Sequence, residues 1–85
     1  MADVNIKQAN QAIIRLVRTE FARHKVDCSE VQVGSSYGIV VLNGKVRPIR
    51  GHEASFVTDV HGLLKSLRQR PGIRDVVTNW VGPTL

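Results

Sequence analysis

The sequence predicts an α+β fold: a two-layer sandwich of order α-β-β-α-β, with two helices on one face of a three-stranded mixed sheet. Three observations carry this. Two segments repeat apolar residues at helical spacing, and three short segments are rich in β-branched residues. Glycine or proline stands at most of the joints between them. The anchor is Ile39-Val40-Val41-Leu42, bounded by Gly38 and Gly44. It is too short and too β-branched for a buried helix, so it reads as the central strand.

The first helix is expected over Asn5–His24. Ile6, Ala9, Ile13, Ile14, Leu16, Val17 and Phe21 share one arc, with Lys7, Gln8, Gln11, Arg15, Arg18 and Thr19 opposite. Asn5 and Gln8 have the spacing of a capping pair, and Arg23, His24 and Lys25 suit the negative helix end. Val26–Glu30 connects to a first strand, Val31-Gln32-Val33. Gly34–Gly38 then reads as a hairpin loop leading into the second strand, which continues to Val46. Gly44 inside that pattern marks a bulge or a close approach of another backbone.

Arg47–His52 reads as a loop. A second helix is expected over Glu53–Arg70, stopped by Pro71-Gly72. Its apolar arc is Phe56, Val57, Val60, Leu63, Leu64 and Leu67, with Ser55, Thr58, Gly62, Lys65, Ser66 and Gln69 facing water. Val76–Val81 forms the last strand. The crossover from the second strand through the helix is long enough for a parallel connection. Strand order is not fixed by the pattern.

Eighty-five residues make one domain, with its core expected over 5–81. No run reaches the ~18 apolar residues of a membrane-spanning helix. No secretory signal is evident, so the chain reads as cytoplasmic as written, or as a piece of an exported protein. The single cysteine, Cys28, excludes an internal disulfide. A net charge of +5 favours an anionic partner: nucleic acid, acidic lipid or acidic protein.

No phosphate-binding glycine loop, zinc-protease motif or nucleophile elbow is present, so no enzyme activity is expected. His24 and Cys28 lie four apart, but the helix is expected to end between them and no further ligand has suitable spacing. His24 is read as closing the core edge and Cys28 as a small apolar residue. No metal or cofactor is expected. Bases gather as Lys45, Arg47 and Arg50; as Lys65, Arg68, Arg70 and Arg74; and as Lys7, Arg15 and Arg18. The first set, on a Pro- and Gly-containing loop, is the candidate anionic-ligand contact.

Strand alternation supplies a second candidate. With Val40, Leu42, Val46, Val76, Thr78 and Trp80 turned toward the helices, Ile39, Val41, Val77 and Val81 turn away. Two helices on one side leave that face open, so association is expected there, as a homodimer or as docking to another domain.

Two stretches resemble the BON domain: Val31-x-Val33 leading to Gly38–Val46, and Pro71-Gly72-Ile73-Arg74-Asp75-Val76-Val77-Thr78-Asn79. Gly44 and Gly72 fall on that family's two signature glycines. Ile73 stands where valine is usual, and the second helix is longer than typical. The resemblance covers Asn10–Trp80. It implies a non-enzymatic bacterial module that attaches to phospholipid membranes or other cell-envelope components, in a periplasmic setting; one relative senses potassium. It implies no catalytic residues. The alternative is a small RNA- or DNA-binding module of KH-like topology. Against it, the Gly-x-x-Gly clamp is missing, and Tyr37 and Trp80 are the only candidate stacking aromatics.

Overall fold

The computed structural model describes residues 2–84, with side chains from residue 10 onward. Helix α1 spans Ala2–Arg23, followed by β1 (Val26–Asp27), β2 (Val31–Ser36), β3 (Ile39–Lys45) and β4 (Arg47–Pro48). Helix α2 spans Phe56–Arg68, and β5 (Asp75–Val81) closes the chain. The main sheet has the order β2-β3-β5, with β2 antiparallel and β5 parallel to β3. This is the expected α+β sandwich with its mixed three-stranded sheet. The two-residue strands β1 and β4, paired antiparallel beside it, were not expected.

Several boundaries differ from the expectation. Helix α1 starts at Ala2, so Asn5 lies inside it and is not its cap; the side chains of Ile6, Lys7, Gln8 and Ala9 lie outside the described residues. It ends where Lys25 takes a left-handed φ of 59° and its amide bonds the Ala22 carbonyl. The expected loop Gly34–Gly38 is mostly strand. Strand β2 runs on to Ser36, and only Tyr37 and Gly38 turn, with φ of 52° and 82°. That is the φ signature of a type I′ turn, whose twist matches the flanking strands. Helix α2 starts at Phe56, three residues later than expected. The Glu53 carboxylate is occupied by the Gly51 amide, and the Ser55 hydroxyl bonds Asp59 at 2.7 Å.

The inward side of the sheet and the helices share one core, including Phe21, Val40, Leu42, Leu63, Leu64 and Leu67, all fully buried. Trp80 packs edge-on to Phe21, ring centroids 6.1 Å apart, and its indole N–H donates to the Pro83 carbonyl. Val57, expected in the apolar arc of α2, is exposed. Two residues expected to face water do not. Gly62 lies under the His24 ring, and Ser66 bonds into the helix interface. Gly44 meets the expectation of a close approach. Its φ is +102°, and a Cβ there would run into the Glu30 carbonyl, which accepts the Lys45 amide.

Candidate functional site

Register places the outward residues of the sheet in rows. Ser36, Ile39 and Asp75 form one row, Gly34, Val41 and Val77 the next, and Gln32, Asn43 and Asn79 a third. Lys45 and Val81 end the face. Alternation turns these side chains away from the core, whose inward neighbours Val40, Leu42, Val76 and Trp80 are buried. Among the expected association residues, Ile39 is 40% exposed, Val77 36% and Val81 69%, while Val41 is half-buried between its neighbours. Thus all four lie together on one open face.

The last described residues do not cover that face. Pro83 offers its carbonyl to buried Trp80 and Thr84 offers its own to His61 of α2, so Gly82–Thr84 turns to the helix side. Gly34 adds a feature that the sequence reading missed. With no side chain between Gln32 and Ser36, it leaves a dent beside Val41. A Cβ built there would meet nothing closer than the Val41 carbonyl at 3.9 Å.

The three candidate anion contacts are all exposed but do not form one cluster. Lys45 ends β3 and belongs to the open face. Arg47 lies on β4, in the small ribbon with β1, and is ion-paired with Glu30. Arg50 follows on a loop whose backbone is fixed: the Gly51 amide bonds Glu53, and the His52 amide donates to the Ile49 carbonyl at 2.9 Å. The backbone amides of Glu53 itself and of Gly51 hold the Glu53 carboxyl below its ordinary range. The second basic set is also partly engaged. Arg68 donates to the Val76 carbonyl, and Arg74 lies against Gly38 at the hairpin tip.

One buried ionic group was not foreseen. The side chain of Glu20 is 1% exposed and is held by Arg70, with Arg23 at 3.5 Å, His24 at 3.4 Å and the Ser66 hydroxyl at 3.4 Å. Burial alone would raise its pKa. The hydrogen bond and charge of Arg70, with Arg23 and His24, outweigh that and hold the carboxyl below its ordinary value. The signal was its position: Glu20 falls between Leu16 and Ile13 on the apolar arc, where an acid needs a partner.

His24 therefore edges the core as a partner of Glu20, and Cys28 packs against the core with its thiol 3.9 Å from Arg18. Among the described residues no cleft opens into the fold, and no group of three or more His, Cys, Asp or Glu side chains is placed to hold a metal. No helix there is long and apolar enough to cross a membrane. Comparison with protein-family models, curated proteins and solved structures finds no match to the chain.

Proposed function

We propose that the chain is a non-enzymatic binding module of BON type that attaches to an anionic phospholipid or cell-envelope surface. What supports this is one observation: Arg47 and Arg50 are exposed off the open sheet face, on a backbone already fixed by β4 pairing and by Glu53, whereas Lys45 lies on the sheet face. Bases on a fixed backbone lose less freedom on binding than bases on a loose loop. Each base near an anionic surface contributes about 1 kcal/mol, so these two give weak attachment, further reduced while Arg47 holds Glu30.

Co-sedimentation with phosphatidylglycerol vesicles, set against phosphatidylcholine vesicles, tests the reading. Binding to the anionic vesicles at low salt is expected, falling as salt rises and weakened by Arg47→Glu with Arg50→Glu. Absence of binding at low salt rejects attachment to lipid.

A second reading, a protein-docking module, is favoured by the outward aliphatic residues Ile39, Val41, Val77 and Val81. The KH-like alternative draws less support. Trp80 is spent in the core, which leaves Tyr37, 68% exposed at the hairpin tip, as the one free aromatic of the pair considered.

A further inference from the structure

The open sheet face has an internal symmetry that selects its occupant. Gly34 and Val77 lie in the same row on opposite sides of Val41: Gly34 pairs with Val41 across β2–β3, and Val77 pairs with Val41 across β3–β5. A half-turn about an axis running along β3 exchanges the β2 and β5 sides of the face. It lays Val77 of each copy over the Gly34 dent of the other, with Val41 on Val41 and Ile39 on Ile39. The same rotation sets Asp75 over Ser36 and Asn79 over Gln32, so polar groups meet polar groups. Lys45, on β3 itself, falls on Lys45 of the second copy at the edge of the face, a like-charge contact. The other in-plane twofold, across the strands through the Val41 row, sets Val77 on Val77 and the Gly34 dent on itself, and lays Ile39 over Asn43, so the dent stays empty and an aliphatic group meets a polar one.

Charge points to the same occupant. The chain carries +5, yet the outward positions of β2, β3 and β5 hold one base, Lys45, and one acid, Asp75. Two copies of a basic protein approach with least repulsion through a face that is neutral. An anionic partner would gain little there, because Arg47 and Arg50 sit off the face on the β4 side. Strand spacing and rise give the face a footprint of roughly 350 Å² per copy, below the ~800 Å² per partner of a tight complex. The pairing therefore forms a weak dimer rather than an obligate one.

We infer that a second copy of this chain covers the open sheet face, in a twofold dimer whose axis runs along β3 and in which Val77 fills the dent at Gly34. The inference rests on the docking reading of that face and is independent of attachment to lipid.

Gly34→Thr separates the dimer from the fold. The monomer has room for a Cβ at this position, and threonine suits a strand better than glycine, so thermal stability should hold or rise. The added side chain fills the dent without making the face more apolar. In sedimentation velocity, the wild-type chain should dimerise with a dissociation constant on the order of 100 µM. Gly34→Thr should weaken this about tenfold or more. Filtered NOE spectra on a mixture of labelled and unlabelled chains should show Val77 methyls against Gly34 Hα between copies; within one copy these are two strands, roughly 10 Å, apart. A wild-type chain monomeric at millimolar concentration overturns the dimer. So does a Gly34→Thr dimer as tight as wild type, which would move the contact to a sheet edge or a helix. The docking reading fails separately, if Val41 and Val77 methyls of the monomer are shielded from a soluble paramagnetic probe.

Discussion

Arg70, just beyond the end of α2, hydrogen-bonds the buried carboxylate of Glu20 on α1, fifty positions away in sequence. The pair ties the two helices together beside the apolar core they share. It also explains why Ser66 and His24 turn inward, since both complete the coordination of the same carboxylate. A buried carboxylate stripped of its guanidinium partner is strongly destabilising. Arg70→Ala should therefore cost about 2 kcal/mol in urea unfolding, with Arg23 and His24 softening the loss. A change below about 0.5 kcal/mol would mean that the pair is solvated in solution.

The same group sets an acid limb of stability. The folded-state pKa of Glu20 lies below its ordinary 4.5, so its contribution is fully present above that value and is lost as pH falls through the folded pKa. Glu53 acts in the same direction. Unfolding midpoints should hold steady above pH 5 or so and fall below it. Glu20→Gln should be less stable at neutral pH and show a flatter acid limb. An equally steep limb in that variant would move the effect to another carboxylate.

The two faces of the sheet should respond by very different amounts. Leu42→Ala opens a cavity in a fully buried position and should cost about 3 kcal/mol. Val77→Thr, on the open face of β5, should stay within about 0.5 kcal/mol in the monomer. Denaturant melts at low protein concentration make this comparison without interference from association.

Gly44→Ala should be among the costly small substitutions. It forces an L residue to φ of +102° and drives a methyl group into the Glu30 carbonyl, for a loss of about 2 kcal/mol or more. Tyr37→Asn should do the reverse. The turn holds Tyr37 at φ of 52°, a region asparagine tolerates better, so a gain of about 0.5 kcal/mol is expected in thermal melts.

Much of this architecture is legible in the residues themselves. The Ile39–Leu42 run, the alternation through Val76–Val81 and the apolar arc from Val60 to Leu67 each bury or expose their side chains as the patterns require. Turn chemistry was less legible. Gly34-Ser35-Ser36 has loop composition, yet pairing with Val40 and Val41 and the short turn at Tyr37-Gly38 hold it in the sheet. Local propensity loses there to a ladder of backbone bonds that only the folded partner supplies. The bases show the opposite failure. Lys45, Arg47 and Arg50 are near in sequence, but the β-strand sends Lys45 to the open face while β4 carries Arg47 into another sheet. Proximity along the chain says little once two different strands claim its ends.

The parallel pairing of β3 with β5 also shapes how the chain folds. The β2–β3 hairpin closes across a two-residue turn and can form early, whereas β5 reaches β3 only after Val46–Arg74 has been laid across the sheet. Until then β3 is an edge strand, and its run Ile39–Leu42 is exposed on a face and along a flank at once. Nascent or C-terminally truncated chains that end before Asp75 should therefore be the aggregation-prone species, with arrival of Val76–Trp80 as the step that makes the chain soluble.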